Sequence, residues 1–138
     1  MPFLRIAPIC NGKIYVAPRS YQGEEPGKLD IPMEDYIYAC KTDTDKYAKE
    51  VENKYSNHIT GQPEPRFSLK HLVKETNGVK KNIMLYILPL NDEEQIHFTG
   101  GKFVTPEEIE MNSAQYSSFL KEEVDHLNIV AQMWEEFK

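Results

Sequence analysis

Six apolar residues in succession, Ile83-Met84-Leu85-Tyr86-Ile87-Leu88, decide more about this chain than any other stretch. A half-exposed strand alternates apolar and polar residues, whereas an unbroken run of this kind suits a central strand buried on both faces. It lies within Lys80-Leu90, just after Asn77-Gly78. Asn and Gly tolerate the positive φ angles of a type I′ turn, so the pair predicts a hairpin joining Phe67-Glu75 to the apolar strand. Asn11-Gly12 predicts a second hairpin, from Leu4-Ile9 to Lys13-Ala17.

Between the hairpins the period changes. Tyr21-Lys28 holds two Gly and one Pro and reads as a loop, followed by the short segments Leu29-Pro32 and Asp35-Cys40. Tyr47, Ala48, Val51 and Tyr55 then share one face of an amphipathic helix over Asp45-Ser56, with Asp43 and Thr44 as caps. Gly61-Pro65 is a turn, and Thr105-Pro106-Glu107-Glu108 has the cap, proline and acidic first turn of a short helix. After Asn112-Ser113 as a cap, Tyr116, Leu120, Val124, Leu127, Ala131 and Trp134 trace one stripe to the C-terminus, with Glu122, Glu123, Glu135 and Glu136 elsewhere on the circumference. That order of elements indicates one α+β domain, residues 1–138, with mixed or antiparallel pairing and a long C-terminal helix packed on the sheet.

Charge narrows the partners. The net charge of -6 disfavours binding to nucleic-acid phosphates, which depends on Lys and Arg replacing condensed counterions. A small phosphate-containing ligand, a protein partner or a second copy in a homodimer fits better. No run approaches the roughly 18 apolar residues of a spanning helix, and Met1-Pro2-Phe3-Leu4-Arg5 lacks a signal peptide's apolar stretch. The expectation is a cytoplasmic protein with no membrane contact. Cys10 and Cys40 have no C-x-x-C spacing and read as reduced core residues, and His58, His71, His97 and His126 share no metal-binding spacing. Gly100-Gly101 reads as a turn or bulge, and Tyr36, Tyr38, Tyr86 and Phe98 as core unless they line a cleft.

Several segments, taken in order, resemble the Nudix hydrolases. Lys13-Ile14-Tyr15-Val16-Ala17-Pro18-Arg19-Ser20 is similar to the family's second strand, and Leu29-Asp30-Ile31-Pro32 to its Trp-x-x-Pro segment. Ala48-Lys49-Glu50-Val51 falls where the family has Ala-x-Arg-Glu-Leu, and Lys102-Phe103-Val104-Thr105-Pro106-Glu107-Glu108-Ile109 resembles its late Trp-x-x-x-Glu-Glu-Leu element. The resemblance implies an α/β/α sandwich with a mixed sheet, a box helix and a long C-terminal helix. It also implies a pyrophosphohydrolase acting on a nucleoside diphosphate-linked or NTP-type substrate, with Mg²⁺ or Mn²⁺ held by box carboxylates.

The box itself departs from that pattern. The segment reads Lys49-Glu50-Val51-Glu52-Asn53-Lys54, so Glu50 remains as catalytic residue and metal ligand while Asn53 and Lys54 stand at the next two ligand positions. Hard divalent ions require several oxygen ligands and negative charge. Met33-Glu34 replaces the family's Gly-Gly, and Glu34, Asp35, Glu93 and Glu94 are the acidic residues neighbouring loops would supply to a rebuilt metal site. Arg19, Lys28 and Lys54 are the expected ligand-binding cations; Lys54, four residues after Glu50, is expected to pair with it. Glu52, off the Glu50 face, is expected at the surface. The alternative to a hydrolase is therefore a catalytically inactive module that binds a nucleotide, another small ligand or a protein partner.

Overall fold

The computed structural model describes residues 3–36, 44–74, 78 and 80–137. In chain order the elements are β1 (Phe3–Cys10), β2 (Lys13–Pro18), β3 (Leu29–Asp30), β4 (Met33–Tyr36), α1 (Thr44–Lys54), β5 (Arg66–Lys74), β6 (Lys80–Pro89), β7 (Lys102–Val104), α2 (Pro106–Met111) and α3 (Ser118–Glu136). Asn11 and Gly12 take φ of 54° and 75° at the first turn, as a type I′ hairpin requires. Asn77, Asp43, Cys40 and Tyr38 lie outside the described residues.

β1 and β2 pair only beside their turn, Ile9 opposite Ile14 and Cys10 opposite Lys13. Beyond it they part. β1 takes β4 as an antiparallel neighbour along Phe3 to Ile6, whereas β2 takes β7 and then β3. On its other edge β1 runs parallel to β6, which pairs antiparallel with β5. The sheet is mixed, and β6, held between two strands, buries Ile83, Leu85, Tyr86, Ile87 and Leu88 as its apolar run predicts.

Alternation along the strands sorts side chains to two faces. Ala7, Ile9, Ile14, Val16, Leu85 and Ile87 meet Tyr116, Leu120, Val124 and Leu127 of the α3 region. Leu4, Ile6, Tyr15, Tyr86 and Leu88 meet Ala48 and Val51 of α1. Tyr86 also ties down the start of α1, its hydroxyl lying 2.9 Å from Thr44 Oγ1 and 2.7 Å from Asp45 Oδ1. The result is an α/β/α sandwich. No helix among the described residues is long and apolar enough to cross a membrane.

The cap expected at Asn112-Ser113 is corrected. Asn112 closes α2, a short 3-10 turn covers Ser113–Gln115, and α3 begins after Ser117, whose hydroxyl accepts the Leu120 N–H at 3.1 Å. The cause is tertiary: Tyr116 bridges to Leu29, and the Ser117 N–H donates to the Leu29 carbonyl at 2.9 Å, which keeps the chain extended there.

Candidate functional site

The face covered by α3 holds one charged residue in an otherwise apolar row. Arg5 follows Phe3 and precedes Ala7 on that side of β1, and its side chain has no solvent exposure. All three guanidinium nitrogens find carboxylates. Nε donates to Glu123 at 3.0 and 3.1 Å, Nη2 to Glu123 and Asp30 at 2.8 and 2.7 Å, and Nη1 to Asp30 and Glu34 at 3.1 and 2.5 Å. Arg19 joins from the end of β2, with Nη1 2.5 Å from Asp30 and 3.0 Å from Glu34, while its Nε donates to the Glu24 carbonyl at 2.8 Å. His71 lies 3.0 Å from the outer oxygen of Glu123. Two guanidinium ions thus face three carboxylates at the place where β1 and β2 separate.

Burial alone would push the Asp30 carboxyl up, but Arg5 and Arg19 outweigh it and hold Asp30 below its ordinary value. For Glu34 burial prevails, and its carboxyl is raised despite the pull of Arg5 and Arg19. A carboxyl raised by folding contributes stability below its unfolded value of about 4.3 and loses it as pH rises through the folded value. Glu34→Gln mimics the protonated form. Its stability relative to the parent is therefore expected to increase between pH 4 and pH 7 in urea titrations, and a constant difference would contradict the assigned direction.

Where the strands part, a cleft of about 530 Å³ opens, lined by the end of β2, Pro32, Glu34 and the residues just after α1. Its aromatic wall is built by three residues. The rings of His58 and Phe98 stack at 4.0 Å and 8°, and Tyr55 tilts against Phe98 with centroids 5.8 Å apart. His58 is exposed and is oriented by Nδ1, which lies 2.9 Å from the His97 carbonyl oxygen. Arg19 and Ser20 stand at the opposite lip. Among the described residues Arg19 Nη2 makes no hydrogen bond, and the guanidinium carbon lies 5.5 Å from the centroid of the Phe119 ring.

No protein-family model matches the sequence, and no curated protein matches it. Solved structures do. A Nudix hydrolase from Nitrosomonas europaea aligns with a TM-score of 0.64 at 11% identity, over 95% of this chain and 91% of its own. The Escherichia coli dihydroneopterin triphosphate pyrophosphohydrolase aligns with a TM-score of 0.61 at 14% identity, over 94% and 95%. The chain has the Nudix fold. The Nudix domain of Shewanella oneidensis NrtR, solved in complex with ADP ribose, is similar at a TM-score of 0.60 and 13% identity, over 100% of this chain and 88% of that one.

α1 carries the segment that resembles the Nudix box. Glu50 is exposed. The expected Glu50–Lys54 pair is replaced by Lys54 with Asp35, 2.9 Å apart, because β4 brings Asp35 beside the end of the helix. Tyr55 fills the next position, its hydroxyl donating to the Glu34 carbonyl oxygen at 3.1 Å. Asn53 faces a different pocket from the cleft. Among the described residues no group of three or more His, Cys, Asp or Glu could hold a metal ion. This donor set, one free carboxylate with an ammonium and an amide nearby, does not fit Mg²⁺ or Mn²⁺, which want several hard oxygens.

The remaining expectations are distributed widely. Lys28 does not line the cleft: its ammonium donates to the Ala114 carbonyl. Glu93 sits near Asn11 and Lys13, at the hairpin turn and so at the far end of β2 from Arg19. Glu52 is corrected from surface to buried, 6% exposed. It lies four residues after Ala48 and one after Val51, on the edge of the apolar stripe, a position its spacing already marked. Arg5 was not expected in a site, and Glu123, expected off the apolar stripe with Glu122, Glu135 and Glu136, is corrected to fully buried: it lies three residues after Leu120 and four before Leu127, on the face that α3 buries.

Proposed function

We propose that this chain is a Nudix-fold binding module that takes a small phosphate-bearing ligand with a flat ring, of the nucleotide class, without a divalent ion. The observation that carries this reading is the presence within one cleft of the exposed, Phe98-stacked residue His58 and of Arg19, whose Nη2 has no hydrogen-bond partner among the described residues. A flat ring stacks on the imidazole; a phosphate takes Arg19 in a charge-assisted hydrogen bond. Lys54 adds positive charge near Glu34, and its pairing with Asp35 supplies a fixed cation in the box helix.

Thermal melting with ADP, ATP and ADP ribose in EDTA tests this directly, since a ligand that binds only the folded chain raises its melting point. A rise in EDTA is expected. His58→Ala is expected to weaken that binding about tenfold, stacking on a ring being worth roughly 1–3 kcal/mol, while leaving the melting point of the free protein nearly unchanged. No rise with any of the three would refute the module.

A pyrophosphohydrolase is the second reading, favoured by the Nudix hydrolases among the similar structures and by the free carboxylate of Glu50. It requires an Mg²⁺ or Mn²⁺ site that the present donors do not form. Hydrolysis of a nucleoside triphosphate to the monophosphate and pyrophosphate, or of a nucleoside diphosphate derivative to two phosphomonoesters, that depends on Mn²⁺ and on Glu50 would establish it in place of binding alone.

A further inference from the structure

β5 ends the sheet on one side: among the described residues its 9 positions pair with β6 alone, and no strand meets its outer backbone groups. α3 covers one face of it, with Arg66 5.5 Å from the Trp134 ring centroid and Ser68 Oγ 2.6 Å from His126 Nε2. The α1 face is open, because α1 packs on β1 and β4 instead. Phe67 stands opposite Tyr86, Lys70 opposite Met84 and Leu72 opposite Asn82, so Phe67, Lys70 and Leu72 share that open face. Phe67 is 51% and Leu72 56% exposed, and Lys70 lies exposed between them.

Charge on this hairpin has one sign. β5 and β6 carry five Lys and Arg and no Asp or Glu, in a chain whose 22 acids outnumber its 16 bases. Lys70 and Lys80 are exposed and have no ion-pair partner among the described residues. An open strand edge invites another strand. Basic side chains, and the irregularity between Phe67 and Leu69, guard this edge against a second copy of itself, because two such strands would bring like charges together. They do not guard it against an acidic strand. We propose that the β5 edge binds an extended acidic segment of a partner protein, which adds to the sheet as a further strand. A carboxylate of that segment pairs with Lys70, apolar residues two positions to either side of it cover Phe67 and Leu72, and backbone hydrogen bonds continue the ladder. A single-stranded nucleic acid matches the charge but has no peptide backbone to continue the ladder.

The test uses the full chain, labelled with nitrogen-15 and titrated with the blocked peptide Glu-Val-Thr-Glu-Thr-Val-Glu. One control peptide has every Glu replaced by Lys; a second has both Thr replaced by Pro, which keeps the charge but removes backbone donors. Saturable amide shifts centred on residues 66–74 and 82–84 are expected for the first peptide, with slower deuterium exchange along β5. Affinity should be about tenfold weaker for each control, and about tenfold weaker for the first peptide with Lys70→Glu, which sets like charges opposite each other. Equal binding of either control, shifts confined to His58 and Phe98, tighter binding of an oligouridylate at the same residues, dimerisation of the free chain through β5, or unchanged affinity in Lys70→Glu would each overturn the proposal. Should Lys70→Glu fail to fold, the three peptides on the unaltered chain decide the matter by themselves.

Discussion

Arg5→Ala is expected to lower the unfolding free energy by about 3–5 kcal/mol, the usual consequence of removing one member of a buried ionic cluster. The side chain has no exposure, and three carboxylates take hydrogen bonds from it. Without it Arg19 still reaches Asp30 and Glu34, but Glu123, which is fully buried, keeps only His71 among the described residues. A stranded carboxylate is the dominant loss, not the missing attraction. Arg5→Lys should therefore recover little, since one ammonium cannot reproduce the planar fork that serves Asp30 and Glu123 together. By contrast, replacing Arg5 and Glu123 jointly with Met and Leu should restore part of the stability, as apolar substitutes for buried ion pairs often do. Urea unfolding at pH 7 measures all three. A loss below about 1 kcal/mol for Arg5→Ala, the level of a solvated surface pair, would show that water reaches the cluster.

The second large effect lies behind the cleft residue Phe98. Gly101→Ala would place its Cβ only 1.9 Å from the Tyr15 hydroxyl. Tyr15 cannot simply yield: its ring is buried against Phe103 at 5.0 Å, and its oxygen accepts the Phe98 N–H at 2.8 Å. Forcing extra volume into packed structure costs roughly 1–3 kcal/mol, and displacing the hydroxyl removes a hydrogen bond worth about 0.5–1.5 kcal/mol more. Because Phe98 stacks on His58, the same substitution should weaken ligand binding in the cleft. Tyr15→Phe combined with Gly101→Ala should be less unstable than the two separate losses predict, the sign of a direct contact in a double-mutant cycle. Strict additivity, or a neutral Gly101→Ala, would refute the close approach.

Local signals found the skeleton and missed the charged cluster, for one physical reason. The Asn11-Gly12 turn, the apolar run of β6 and the stripe of α3 are each encoded within a few neighbouring residues, so a pattern suffices to place them. The partners of Arg5 are 25, 29 and 118 residues away. Nothing local marks Arg5 as different from a surface arginine until the sheet and α3 are assembled, and Glu123 is set apart from Glu122 beside it only by its helical spacing to Leu120 and Leu127. The cleft was half legible: Arg19 stood in a recognisable strand end, whereas His58 entered it through a 3-10 turn just after α1 and Phe98 through the loop before β7. The failure of the Glu50–Lys54 pair has the same origin, because its competitor Asp35 arrives from another strand.

The parallel pairing of β1 with β6, Phe3 beside Ile83 through Ile9 beside Pro89, also sets a timetable. A ribosome delivers β1 well before its long neighbour, since Phe3 pairs with Ile83, 80 residues further on. Pairings this distant in sequence form slowly because their loop must close before any contact rewards it. Until then Leu4 and Ile6, which end up fully buried, have no place in a finished core. β1 is thus a strand with a long wait, and one for which a chaperone that shields apolar strands would matter.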